Sequence, residues 1–509
     1  MSPAPLSLDG IRRGGEALME QLSREYYEAQ AGHKSSAELQ PIYARHQDVV
    51  SDDALALVRE ALRAAAPGSE EARSTRALLE WMADTRVARA LAALDEREIA
   101  WEATALVTIA DGRRIPFQRI AIEIANATDR RERLMLERGR AALVAAELAP
   151  MRREHFARER ELTEAMEIAP TYNATFVALS GIDLPALVAQ CEAFLRDTQA
   201  MWDDTFPAMV REKLHIPPRE AVRADALALM RAHEFDPYFP SGAMESVVRG
   251  QMAEMGLDAR AGGRIVFDTA DREGKRSRAF CAPVRVPQEV YLVLRPHGGQ
   301  ADYRTFLHEL GHALHFGYTR ADYPFEYRWL GDNSVTESYA MLCDHLMHDP
   351  GWLLRYTELG RSRLPAFLRS VGFEELQFLR RYCAKLIYEY ALYGGEVPWD
   401  ALPDLYVETL TGATSFRYDP ADAFVDVDPR YYAARYLRAW QLQALLTETL
   451  IERFDEDWYR NPRSGPWIVE HLFAEGQREL AHELAERVAG RALSFDPLVR
   501  ATEALLIAS

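Results

Sequence analysis

From about Leu55 to Ala110, and again from Pro116 to Met166, apolar residues recur every three or four positions with Arg and Glu between them. That period predicts amphipathic helices. The segment GIDLPALVAQCEAFLRDTQAMW reads as a helix start. Asp183 can cap it, Pro185 sits in its first turn, and Leu184, Leu187, Val188, Cys191 and Leu195 make one stripe. One region breaks the helical period. Between Arg264 and Arg295 the runs RIVF and EVYLVLR are short, β-branched and aromatic, and bounded by Gly and Pro, which predicts strands of a small sheet. A glycine-containing loop, PHGGQADY, then leads into TFLHELGHALHFGY, where the helical pattern returns. No internal repeat or low-complexity linker interrupts the chain, and RAHEFDPYFPSGA, residues 231–243, is the best candidate for a lobe boundary. The predicted fold is mainly α: a helical N-terminal lobe over 1–235, and a second lobe with the small sheet over 236–509. The two lobes are expected to interleave into one working unit.

Composition narrows the function. The chain of 509 residues carries 60 basic and 78 acidic side chains, a formal net charge of -18. Such a field repels phosphate backbones and anionic lipid surfaces, so neither nucleic acid nor membrane is an expected partner. The four cysteines, Cys191, Cys281, Cys343 and Cys383, form no C-x-x-C pair and are expected as small core residues rather than disulfides. The opening MSPAPLSLDGIRRGGEALMEQL lacks a basic stretch followed by an apolar one, and no run approaches the ~18 apolar residues of a membrane span. A cytoplasmic address is the expectation.

Chemistry concentrates in TFLHELGHALHFGY. His308 and His312 are four apart, so on a helix both imidazoles share one face and can point at one ion. Glu309 lies about 100° round the helix, where it can reach a water activated by the metal. Gly311 lets a neighbouring element approach closely. A third ligand is needed, and WLGDNSVTESYAMLCDHLM places Glu337 on a second amphipathic helix, 29 residues after His308. Leu342 and Leu346 would pack that helix on the first. His308, His312 and Glu337 then make a catalytic zinc site, one ion per chain, with one position open. The same donors also accept cobalt or manganese.

The run HELGHALH, the Glu337 spacing, Asp344 seven residues further, Arg272-Glu273-Gly274-Lys275 and Ala279-Phe280-Cys281 together resemble the thimet oligopeptidase and oligoendopeptidase F family of zinc metallopeptidases. The resemblance is specific from about Phe267 to Asp344 and looser over the helical N-terminal half. It implies a two-lobed helical metallopeptidase of the gluzincin type, with zinc on the floor of a deep substrate cleft. The activity implied is a zinc metalloendopeptidase, an oligopeptidase that cuts internal bonds of short unstructured peptides. Glu309 would be the general base, Asp344 would orient a ligand from behind, and His315 would pack or hydrogen-bond near the site. The strand EVYLVLR would offer an edge to which an extended peptide adds. In the family a Tyr-rich helix about a hundred residues on stabilises the oxyanion. Its counterpart here is AFVDVDPRYYAARYLRAW, with Tyr431 and Tyr436 as candidates and Tyr432 on the face of Tyr436. No His precedes them, and aromatic packing is the alternative role. A Taq-type zinc carboxypeptidase is the nearest competing reading. Those chains carry H-E-S-Q at the third ligand, where this one has Thr336-Glu337-Ser338-Tyr339, and a Tyr at the place of His315. A non-catalytic peptide-binding scaffold would have no need of Glu309.

Overall fold

Helix α1 (Leu8–Gln30) starts where the Ser7 hydroxyl accepts a hydrogen bond from the Gly10 N–H at 3.2 Å, which satisfies one of the helix's orphan donors. Ile11, Leu18 and Leu22 form its buried stripe. This computed structural model describes residues 6–276 and 278–507. They are mostly helical, with two small sheets. The described residues of Met1–Thr85, His233–Leu364 and Arg438–Leu498 form one compact unit, and those of Arg86–Ala232, Pro365–Leu437 and Val499–Ser509 form a second. The crossing between Ala232 and His233 falls inside RAHEFDPYFPSGA. Among the described residues no single helix is long and apolar enough to cross a membrane.

The first unit holds a sheet of three strands, β1 (Ile265–Asp268), β2 (Phe280–Arg285) and β3 (Glu289–Val293), in the order β1-β3-β2. β1 runs parallel to β3, with Ile265 opposite Val290, and β2 antiparallel to it, with Cys281 opposite Leu292. The expectation that EVYLVLR supplies a free edge is therefore corrected. β3 is the central strand, paired on both sides, and the edges belong to β1 and β2. The physical reason is pairing across the chain: β1 and β2 take up the two edges of β3, and its Val290, Leu292 and Val293 are no more than 1% exposed.

α1 covers this sheet. Tyr27 stacks on Tyr291 with ring centroids 3.8 Å apart, and Tyr27 and Ala31 share a core with Ala282, Val284 and Val293. The Arg272-Glu273-Gly274-Lys275 turn fastens the arrangement. The buried Lys275 ammonium donates to the carbonyls of Asp268 (2.7 Å) and Ala270 (2.9 Å) and to Asp268 Oδ1 (3.1 Å). Arg272 donates to the Ala31 carbonyl at 2.8 Å. A burial this deep is tolerated because the charge is paired and its donors are used. Gly32 completes the clamp: its φ is +78°, and a Cβ there would lie 2.7 Å from the Glu273 carbonyl oxygen. Beyond the sheet come α2 (Gln300–Tyr318), which packs against β2 and β3, and α3 (Asn333–Asp344).

In the second unit the predicted helix Leu184–Asp197 forms, with Asp183 accepting from the Ala186 N–H at 3.0 Å. The reading of Leu55–Ala110 as continuous helical pattern is interrupted at its end. Leu106–Thr108 pairs antiparallel with Arg114–Pro116 in a hairpin whose turn contains Asp111 and Gly112, the latter at φ +88°. Asp-Gly is a hairpin signal that the flanking helical period masks. A long helix, α4 (Leu364–Gly394), and the start of α5 (Tyr432–Phe454) also belong to this unit.

Candidate metal centre

α2 carries the histidines because its apolar stripe fixes its rotation. Tyr303, Phe306, Leu307, Leu310 and Leu314 are buried, which turns the i, i+4 pair His308 and His312 onto one remaining face. α3 is capped by Asp332, whose Oδ1 accepts from the Ser334 N–H at 2.9 Å and whose Oδ2 accepts from the Ala481 N–H at 3.0 Å. Every residue of α3 from Ser334 to Asp344 is buried. The two helices meet at Gly311. A Cβ there would lie 2.4 Å from the Tyr339 carbonyl oxygen and 2.5 Å from the Ala340 Cα, so only glycine permits this crossing. That approach brings Glu337 to the two histidines.

His308 Nε2 lies 3.4 Å and His312 Nε2 3.6 Å from the same oxygen, Glu337 Oε2. The two rings are 5.0 Å apart and nearly perpendicular, at 85°. All three donor atoms fall within 4.8 Å of one another. The far ring nitrogens are anchored: His308 Nδ1 on Asp344 Oδ2 and His312 Nδ1 on Thr336 Oγ1, each at 2.9 Å. A carboxylate only accepts, so the Asp344 contact puts a proton on His308 Nδ1 and turns Nε2 towards Glu337.

The carboxylates and the His308 imidazole of the site shift one another. Burial pulls the His308 imidazole down, but the Asp344 and Glu337 carboxylates overcome it and push its pKa up to about 10. Burial raises the Glu337 carboxyl, and His312 and His308 more than offset that, holding it well below the usual carboxylate range. Asp344 is likewise held low, burial being outweighed by His345 and His308. Two buried carboxylates kept ionised around two imidazoles, with nitrogen and oxygen donors converging, fit a divalent ion of zinc's preferences.

Glu309 stands apart from the donor set. Its Oε2 accepts from the Cys281 N–H of β2 at 2.8 Å, so the sheet edge fixes the carboxylate beside the helix that carries the histidines. His315 sits one turn beyond His312 and is fully buried. It packs edge-on to Tyr339 at 4.9 Å, against Phe316 at 5.1 Å and near Phe473 at 6.3 Å. Burial pulls its pKa down to about 3, and the Gly476 backbone approaches the ring without a hydrogen bond of good geometry. It is a neutral core histidine.

The tyrosines lie in the second unit. Arg430 and Tyr431 both take left-handed backbone angles, φ 56° and 53°, in the kink before α5. Tyr431 is fully buried, ringed by Tyr172, Phe176 and Tyr393, and its hydroxyl donates to Asn173 Oδ1 at 2.6 Å. Tyr436 is half-buried on α5, edge-on to Tyr382 at 5.6 Å and Tyr432 at 4.9 Å.

The structure thus brings His308, His312 and Glu337 together, with Asp344 behind them and Glu309 on the same helix. Sequence reasoning missed Thr336, the Cys281 N–H and His345, which sits on the other oxygen of Asp344. Thr336 had one signal, its place directly before a ligand. The Cys281 N–H had none, because a backbone donor carries no residue identity. No protein-family model matches the chain, and no curated protein matches it.

Proposed function

We propose that this chain is a zinc-dependent oligoendopeptidase that hydrolyses internal bonds of short unstructured peptides. The observation that carries the reading is the pair of imidazole Nε2 atoms facing one Glu337 oxygen, each ring held from behind, with Glu309 on the same helix but outside the set. His308, His312 and Glu337 would hold the ion. Zinc bound there supplies Lewis acidity, polarising a carbonyl and making water acidic near neutral pH.

The chain's own groups do the rest. Glu309 takes the proton of the attacking water and delivers it to the leaving amine. Its anchor on the Cys281 N–H holds the carboxylate in one place through both transfers. Asp344 and Thr336 keep the imidazoles from turning. The family resemblance implies a tyrosine for the oxyanion role; of its two candidates we assign it to Tyr436, which is half-buried, the Tyr431 ring being fully buried with its hydroxyl on Asn173. The peptide pairs with the outer backbone of β2, the strand that already lends Glu309 its N–H, and such pairing is largely indifferent to side chains.

The test is a fluorogenic peptide of about ten residues blocked at both ends, offered to the chain stripped by a chelator and then reloaded with zinc. The proposal expects cleavage at an internal bond, lost on stripping and restored on reloading. A carboxypeptidase would leave the blocked peptide intact and trim its free-ended counterpart. A peptide-binding scaffold would cleave neither.

A further inference from the structure

We propose that His345 is a positioning residue of this metal centre: by holding the second oxygen of Asp344, it fixes the carboxylate that aims the His308 imidazole. The inference rests on the reading of His308 as a metal ligand, and extends the centre by one residue which that reading does not use.

The geometry is a carboxylate shared by two imidazoles. Asp344 Oδ2 lies 2.9 Å from His308 Nδ1, and Asp344 Oδ1 lies 2.5 Å from His345 Nδ1. Held at one oxygen, a carboxylate can still turn about its Cβ–Cγ bond, and the hydrogen bond to His308 turns with it. Held at both, it has one orientation, and the His308 Nδ1–H must point along it. The backbone makes this possible between neighbours in sequence. α3 ends at Asp344, and a tighter 3₁₀ turn begins at His345 and runs to His348. That change of pitch lets residue 345 reach back to the side chain of 344. The His345 ring is in turn backed by His348, with centroids 4.5 Å apart and planes at 50°, so it is itself restrained. Asp344 is only 9% exposed, which leaves little water to substitute for the lost donor.

The contact uses Nδ1, and this gives a selective rescue. The amide nitrogen of Asn falls near the place of a His Nδ1, while that of Gln falls near Nε2. The test compares the parent chain with His345→Phe, His345→Asn and His345→Gln. Zinc affinity is read by competition with a chromophoric chelator at fixed pH, and the visible spectrum is recorded for the cobalt-loaded forms. The expected result is about a 10-fold loss of zinc affinity and an altered cobalt spectrum for His345→Phe, the low end for a residue that orients a ligand. His345→Asn should restore both, and His345→Gln should not. Parental affinity and spectrum in His345→Phe would overturn the assignment while leaving the metal centre standing, as would equal weakening in the Asn and Phe variants with Asn folded as the parent. A parent chain that binds no metal would overturn the metal reading itself, and this one with it.

Discussion

At the residue scale, two tyrosines five positions apart sit in different surroundings. Tyr431 is buried with its hydroxyl on Asn173, whereas Tyr436 is half-buried and lies edge-on to Tyr382 and Tyr432. Tyr436→Phe should lower kcat by about 10²-fold with KM little changed, as expected for losing one oxyanion donor. Tyr431→Phe should leave kcat near the parent and cost about 1 kcal/mol of stability, the net worth of a buried hydrogen bond. Steady-state kinetics beside urea melts of the two variants check this. The reverse assignment of the losses would return the catalytic role to Tyr431. His315 carries a second residue-scale prediction. Its pKa is about 3 in the fold and near 6.5 unfolded. Between those values only the unfolded chain takes the proton, so stability is full above about pH 6.5 and falls as pH falls towards 3. His315→Phe keeps a ring among Phe316, Tyr339 and Phe473 but cannot titrate. Relative to the parent it should gain about 2 kcal/mol on going from pH 7 to pH 5. Urea midpoints that keep a constant gap between the two chains would show that His315 does not set this slope.

At the scale of elements, the centre depends on how closely α2 and α3 cross. Gly311 has backbone atoms of Tyr339 and Ala340 where its Cβ would be, 2.4 Å and 2.5 Å away, and backbone cannot rotate aside. Gly311→Ala should therefore separate the helices, destabilise the fold by about 1–3 kcal/mol and carry Glu337 away from the histidines. Thermal melts of that variant should show a lower midpoint and no further rise on adding zinc. An undiminished zinc-dependent rise would mean the crossing does not position Glu337. Much of this was legible beforehand. His308, Glu309 and His312 are neighbours on one helix, so spacing alone places them, and Glu337 is a carboxylate on the next apolar helix. What was not legible is set by pairing across the chain. The order β1-β3-β2 puts EVYLVLR in the middle of its sheet, and nothing within those residues says which strands flank them. Thr336 and His345 matter only through the side chains they touch. The hairpin at Leu106–Pro116 straddles the junction of two helical periods: only its first strand falls well inside a stretch read as helical, and Asp111-Gly112 lies in the gap between them.

At the scale of the whole molecule, the two units are each threaded from three stretches of chain. The net charge of -18 disfavours acidic peptides over long distances and weakens that bias as salt rises. The proposed activity carries a size limit, because the resemblance implies a recessed centre that a folded protein cannot enter. A ladder of doubly blocked peptides from about five to forty residues, set beside a folded protein and its unfolded form, should show cleavage that falls with length and spares the folded protein, in line with the backbone pairing proposed for β2. Rapid cutting of the folded protein would remove the size limit while leaving the metal chemistry intact. The central claim is narrower: His308, His312 and Glu337 hold zinc, and Glu309 moves the proton without binding the ion. One measurement on Glu309→Gln bears on both halves together, zinc content by elemental analysis alongside hydrolysis of the blocked peptide. The account predicts about one zinc per chain, as in the parent, with turnover lowered at least about 10²-fold, the contribution expected of a general base. A variant that hydrolyses at the parental rate, or one that has lost its zinc, would contradict it.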